Sequence, residues 1–328
     1  MRAAIITRPG GPEVLEIQER PTPAPQRGEV QVRVHTSALN RADLLQRAGN
    51  YPAPPGSPKD IPGMEFAGEV ATLGDGVSSW RVGDRVFGIA GGGGHAEYLV
   101  AHEGTLARIP DDLSWTDAGA VPEVFITAHD ALVTQAAVRP GEHVLVHAVG
   151  SGVGLAAIQL ARAWNAIPFG TARTPDKIDR ARAFGLEDGV SVSEDLSIIA
   201  PKVNEWTSQH GIDITLDLVG GAYAEVNVAV AALKGRIICI GTVAGRTATL
   251  PLGMILGKRL TIRGTVLRAR SLEEKVAVTR AFATEVVPLL EKGIVRPVID
   301  SVFELERIGE AHARLASNET FGKIVLVV

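Results

Sequence analysis

The first third of the chain alternates apolar and polar residues in short runs: AAIIT, VLEIQE, VQVRVHTSAL, FAGEVATLG, VGDRVFGI and AEYLV, each bounded by Gly, Pro or Asp. A period of two turns every second side chain to one face, so these runs predict β-strands with one face buried. The Pro-rich connectors PTPAPQRGE and YPAPPGSPKDIPG cannot continue a helix or supply every ladder donor, and are expected to be ordered loops. Gly91 to Gly94 lie between two such runs with no helix after them, which predicts a long hairpin turn rather than a phosphate loop. From Ser114 the period lengthens. DAGAVPEVFITAHDALVTQA has helical spacing, broken or kinked at Pro122. HVLVHA, IPFGTA, GVSVS, IDITLDLVGG, GRIICIG and LTIRGT then read as strands separated by helical stretches such as DKIDRARAFG, IIAPKVNEWTSQ and AEVNVAVAAL. That alternation predicts a doubly wound parallel sheet. After Ser271 come a helical stretch LEEKVAVTRAFATEVVPLLEKG, a strand VIDSVFEL, a helix ERIGEAHARLAS and a last strand KIVLVV. The tail has the character of the first third, so residues 124–265 are expected to form a domain inserted between 1–123 and 266–328.

Within the inserted segment, Glu142 to Leu160 reads EHVLVHAVGSGVGLAAIQL. A buried-type strand runs into Gly150-Ser151-Gly152-Val153-Gly154 and then into an amphipathic helix. Strand, glycine turn and helix bring free backbone N–H groups and the positive end of a helix to one point, where a pyrophosphate binds. The register of the glycine fingerprint stays open. Gly152 and Gly154 give G-x-G-x-x-A ending at Ala157, whereas Gly154 as the last glycine puts Val149 and Ser151 in the first two places.

Composition narrows the class. The chain has 328 residues, 45% hydrophobic and 21% charged, enough for about two domains with real cores. A formal charge of −4 offers no electrostatic case for nucleic acid or an anionic membrane. Cys239, the single cysteine, sits among Ile237, Ile238 and Ile240 and reads as a buried strand thiol. It rules out an intrachain disulfide and a cysteine-built zinc site. The N-terminus lacks a signal peptide's apolar core, and no apolar run is long enough for a membrane span. A soluble cytoplasmic protein is expected.

In the dinucleotide fold a carboxylate about 20 residues past the glycines holds the ribose 2′-hydroxyl of NAD. Here the matching strand end offers Thr171, Ala172, Arg173 and Thr174, with Lys177 one turn on, and no carboxylate at the strand end. A guanidinium fork and an ammonium suit a 2′-phosphate. NADPH is therefore expected over NADH.

The sequence resembles the medium-chain dehydrogenase/reductase superfamily, and within it the zeta-crystallin-like quinone oxidoreductases. RPGGPEVLE, SALNRADLLQRAGNY, PGMEFAGEV, VGDRVFG, GGGGHAEY, AVPEVFITA, VLVHAVGSGVGLAAIQLA and FGKIVLVV carry the likeness in order along the whole chain. SALNRAD with PEVFITA points to the branch that includes the tumour-suppressor-inducible quinone oxidoreductase. The resemblance implies an α/β chain in which a Rossmann domain is inserted into a discontinuous, β-rich GroES-like domain. It also implies zinc independence: zinc alcohol dehydrogenases place cysteine and histidine ligands where this chain has Asn40 and Met64, and Glu65 cannot hold a metal alone. No metal is expected. By the same resemblance Asn40, Arg41, Thr127, Gly241, Thr265, Val266 and Leu267 line the nicotinamide end. Gly150, Ser151, Gly152 and Val153 meet the phosphates. Thr171, Ala172, Arg173 and Lys177 surround the adenosine ribose, and Leu218, Val219 and Gly220 end a strand against the cofactor. Phe321 and Lys323 complete the implied cofactor set. Related enzymes often carry a 2′-phosphate tyrosine where this chain has Val192.

These residues predict NADPH-dependent reduction of a flat, electron-poor acceptor such as a quinone. Asn40, Tyr51 and Thr127 are the candidate catalytic residues, Tyr51 and Asn40 as hydrogen-bond donors to the developing oxyanion. Tyr51 equally fits a cap on its Pro-rich loop, Asp43 reads as a helix start rather than a base, and His147 as a hydrogen-bonded core histidine. Two other readings share the scaffold: an alkenal or enoyl double-bond reductase, and a low-turnover NADPH-binding crystallin-like or RNA-binding protein. A homodimer joined through the sheet edge near Leu260 to Gly264 is expected by analogy.

Overall fold

The structure, a computed structural model, describes residues 1–193 and 195–328. It divides into two compact units, Met1–Ile126 with Leu267–Val328, and Thr127–Val266. The sequence pattern alone places these boundaries after residues 123 and 265.

The discontinuous unit is built on a seven-stranded sheet. Its order is Ile299–Glu304, Lys323–Val327, Glu29–Ala38, Glu65–Leu73, Arg85–Ile89 and Leu106–Arg108, with Tyr98–His102 also paired to Glu29–Ala38. The predicted alternation governs the core. Val30, Val32 and Val34 point inward from one strand and pack with Phe66, Val70, Val86 and Leu99. A second cluster joins Leu39 and Leu44 to Ile308, Leu315, Ile324 and Leu326, which is why the last strands belong to this unit. Gly91 to Gly94 do not form a hairpin. The strands on either side, Arg85–Ile89 and Tyr98–His102, pair with other strands and not with each other. The glycines instead lie against residues 61–65: Gly93 N–H donates to Ile61 O and Gly94 N–H to Gly63 O, and a Cβ on Gly94 would sit 2.6 Å from Glu65 O. Their lack of side chains permits close backbone contact rather than a tight reversal.

The continuous unit holds a six-stranded parallel sheet. Its order is Asp188–Ser191, Ile167–Ala172, His143–Val146, Ile212–Asp217, Ala231–Cys239 and Thr261–Gly264. Numbered along the chain that is 3-2-1-4-5-6, the doubly wound order whose ligand crevice opens at the carboxyl ends of the first and fourth strands. Pro122 begins the helix Pro122–His129, separate from Trp115–Gly119, because a proline without an N–H fits the first turn. AEVNVAVAAL is helical only to Val230. From Ala231 it is strand, since the β-sheet ladder with Ile212–Asp217 outweighs the helical spacing. Among the described residues no helix is long and apolar enough to cross a membrane.

Candidate active site and nucleotide turn

In the continuous unit, the strand His143–Val146 feeds the turn that ends at Ser151, the cap of the twelve-residue helix Gly152–Ala163. Ser151 Oγ accepts the Gly154 N–H at 3.1 Å. The first-turn amides have no carbonyl partner within the helix, and the helix dipole adds positive potential there. A Cβ on Gly154 would lie 2.6 Å from Ala148 O and 2.8 Å from Val149 Cα. Only glycine lets the helix close onto the strand end at this point. That is the part of the third fingerprint glycine, so the packing follows the register with Val149 and Ser151 in the first two places.

A buried network fixes the neighbouring strand ends. His147 Nε2 lies 2.6 Å from Asn227 Oδ1, and its Nδ1 lies 2.9 Å from Thr171 Oγ1. Asn227 Nδ2 donates to Asp217 Oδ2 at 2.9 Å, and Asp217 Oδ1 accepts the N–H groups of Val219 and Gly220, each at 2.8 Å. An amide oxygen only accepts, so the network assigns the ring proton to Nε2 and makes Thr171 the donor to Nδ1. Burial lowers the pKa of His147, which keeps the ring neutral. His147 is thus a core histidine that sets the backbone of Leu218, Val219 and Gly220. Gly241 closes against the same turn, where a Cβ would meet Leu218 O at 2.4 Å. Thr265 Oγ1 donates to Asp130 Oδ2 at 3.1 Å, Thr127 is buried, and Val266 is exposed.

At the second strand's end Thr171 and Ala172 are buried, Arg173 and Thr174 are exposed, and Lys177 is half-buried in the first turn of the helix Pro175–Arg182. Asp176 faces Arg180 one turn along that helix, at 3.6 Å. Val192 is buried among Leu145, Phe169 and Val203 and presents no polar group. Tyr223, which carries no sequence motif, opens the helix Tyr223–Val230 edge-on to His147, ring centroids 4.7 Å apart. Burial raises its phenol pKa, and the charge of Arg173 partly offsets that rise.

The discontinuous unit assembles a second constellation. Asn40 occupies the cap position of the helix Arg41–Arg47, and its backbone N–H donates to Asp43 Oδ2 at 2.7 Å. Its Nδ2 donates to Glu65 Oε1 at 2.8 Å, and its Oδ1 accepts from Lys323 Nζ at 2.8 Å. Lys323 Nζ also donates to Leu39 O at 2.8 Å and Glu65 Oε1 at 2.7 Å, so all three ammonium protons are used. Glu65 is fully buried and Lys323 is 4% exposed. Such a pair persists only because each partner is hydrogen-bonded on several sides. Glu65 Oε2 accepts the Glu123 N–H at 2.9 Å. Desolvation, with the like charge of Glu65 behind it, pushes the Glu123 carboxyl up to about 8. Asp43 receives the N–H groups of Asn40 and Gly63, yet its burial still raises it to about 6. His95, buried near Lys323, is pushed down to about 3 and stays neutral.

Arg268 lies over the Tyr51 ring, 5.1 Å from its centroid, and donates to Gln46 Oε1, Gly91 O and Tyr51 O. Burial raises the Tyr51 phenol, with Glu123 adding to the rise and Arg268 opposing it. Met64 is buried. Arg41 donates to Asn318, the Phe321 N–H donates to Asp300 Oδ1, and Leu267 and Phe321 are buried. Asn40, Tyr51 and Lys323 therefore share one neighbourhood with Glu65, Glu123 and Arg268. Neither Glu123 nor Arg268 stood out in the sequence. Glu123 lies inside PEVFITA, where its approach to Glu65 could not be read, and Arg268 reaches Tyr51 across most of the chain.

Two family patterns match: one described as alcohol dehydrogenase GroES-like domain over residues 26–111, and one described as zinc-binding dehydrogenase over 191–326. A quinone oxidoreductase of Lama guanicoe is 32% identical over 331 aligned residues, covering 100% of this chain and 98% of its own. A solved quinone oxidoreductase of Escherichia coli complexed with NADPH superposes with a TM-score of 0.88 at 26% identity, covering all of both chains. A structure described as an NAD-dependent alcohol dehydrogenase gives 0.87 at 33%, again over all of both.

Proposed function

The chain belongs to the medium-chain dehydrogenase/reductase family of oxidoreductases, and from that premise we propose that it reduces quinones with NADPH and without a catalytic metal. The Lys323 ammonium carries this reading. The resemblance puts positions 40 and 64 where the zinc enzymes have metal ligands. Here Lys323 donates to Asn40 and Glu65, and its fixed positive charge meets the carboxylate that a metal would otherwise neutralise. The zinc-binding description of one matching pattern belongs to that pattern, and Asn40 and Met64 are poor ligands.

The nucleotide turn fits a diphosphate, because Gly154 allows the close helix approach and the amides of Ser151, Gly152 and Val153 stand at a helix start. Arg173 and Lys177 would hold the 2′-phosphate: the strand end at 171–174 reads Thr-Ala-Arg-Thr and supplies no carboxylate of its own to take a ribose 2′-hydroxyl. This preference rests on the chain's own residues, as relatives include both an NADPH complex and an NAD-dependent enzyme. Leu218, Val219, Gly220, Gly241, Thr265 and Val266 would complete the nicotinamide side. NADPH, when bound, supplies the hydride.

The protein's own groups handle the oxygen. Reduction of a quinone leaves a phenolate that must gain a proton. Below about pH 8 the Glu123 carboxyl is protonated and can donate one, and the Tyr51 hydroxyl is a neutral donor for the oxyanion; the Asn40 amide, first expected in that role, already donates to Glu65 Oε1 and Ala38 O. Lys323 positions Asn40 and Glu65 by donating to both. Steady-state NADPH oxidation with 1,4-benzoquinone, 9,10-phenanthrenequinone and a 2-alkenal tests the reading. Turnover with the quinones well above the alkenal is expected. A preference for the alkenal, or tight NADPH binding with no turnover on any of the three, would refute it.

A further inference from the structure

We propose that His143, His210 and Asp213 form a site for one first-row divalent metal ion of the zinc type, at the amino-terminal edge of the parallel sheet. His143 opens the strand His143–Val146, and Asp213 lies at the start of the neighbouring parallel strand Ile212–Asp217. His210 precedes that strand in a turn whose shape is fixed by the Gly211 N–H donating to Thr207 Oγ1 at 2.9 Å. One ligand atom from each of the three residues lies within 4.8 Å of the others. His210 Nε2 is 3.0 Å from Asp213 Oδ1, and His143 Nδ1 is 3.7 Å from Asp213 Oδ2. A tetrahedral ion with bonds of about 2.0–2.1 Å separates its ligand atoms by roughly 3.3–3.4 Å. Small side-chain rotations reach that spacing.

An independent observation points to a missing partner. His143 Nδ1 is buried and has no hydrogen-bond partner, a state that buried polar atoms rarely keep. This nitrogen lies 3.7 Å from the Asp213 carboxylate, which a hydrogen bond from the His143 backbone N–H at 2.9 Å already orients. Two imidazoles and one carboxylate are a donor set that zinc and its neighbours favour over calcium or magnesium. His210 is exposed, which gives an ion a route in and leaves a fourth position for water.

The nucleotide turn leaves the carboxyl ends of these same strands, so the site lies at their opposite ends and takes no part in hydride transfer. Its effect is to tie the first and fourth strands together. The expectation of no metal rested on Asn40, Met64 and the single cysteine. It could not register three ligands that only strand pairing brings together.

The test uses the full chain, stripped with a chelator, dialysed against zinc and counted by elemental analysis, beside His210→Ala. Because His210 is exposed, the metal-free variant should unfold at the wild-type temperature. The expected result is one zinc per wild-type chain, affinity weakened roughly tenfold or more in His210→Ala, and a zinc-dependent rise in unfolding temperature confined to the wild type. Equal zinc retention by both proteins, no stoichiometric zinc on the wild type, or binding that leaves the wild-type unfolding temperature unchanged would overturn it.

Discussion

The most consequential single residue is one that the sequence does not mark. Glu123 keeps its proton to about pH 8 because desolvation and Glu65 both disfavour its charge. A carboxyl whose folded pKa is raised binds more protons in the folded state than in the unfolded chain. Its contribution to stability is therefore full below the ordinary carboxylate range and is lost as pH rises through about 8. Glu123→Gln should flatten the decline in stability between about pH 5 and pH 9, as read by denaturant midpoints. The same variant should lower quinone turnover by about 10²-fold and remove the fall in wild-type rate above pH 8. An unchanged pH profile would remove Glu123 from the chemistry. The motifs singled out Asn40, Tyr51 and Lys323, and the fold brings these into one neighbourhood. They did not single out Glu123, Arg268 or Tyr223, whose surroundings depend on partners far away in the chain.

At the scale of elements, periodicity was a good guide wherever one face of a strand or helix meets a core. It placed Glu29–Ala38, with its inward valines, and the helix Gly152–Ala163 after the glycine turn. It failed where tertiary contacts compete with local pattern. The glycines at 91–94 read as a hairpin because a glycine run signals freedom to turn, whereas the fold uses them for close backbone approach. The strand from Ala231 looked helical because alanine and leucine favour helices until a neighbouring strand pairs with them. The register of the nucleotide turn rests on the space at Gly154. Gly154→Ala should cost about 1–3 kcal/mol of stability through the clash with Ala148 O and weaken nucleotide binding. Calorimetric unfolding and an NADPH titration would check both. A stable variant with full affinity would return the register to Gly152 and Ala157.

At the scale of the molecule, the doubly wound parallel sheet follows from strand–helix alternation, whereas its strand order does not; the character of KIVLVV pointed to the return of the tail to the first unit. Assembly is a separate matter. The last strand of the parallel sheet, Thr261–Gly264, is a sheet edge, and Leu252, Met254, Leu256 and Ile262 nearby are exposed. An apolar edge of this kind favours pairing with a second copy. Sedimentation should find a dimer that Ile262→Lys shifts toward monomer, and a monomeric wild type would exclude this edge as an interface. Selection of NADPH through Arg173 is measured most directly by the affinities of wild type and Arg173→Glu for NADPH and NADH. The wild type should bind NADPH more tightly than NADH, and the variant should lose about 10- to 100-fold in NADPH affinity while NADH is nearly unaffected. Equal losses for both nucleotides, or no binding of either to the wild type, would contradict it.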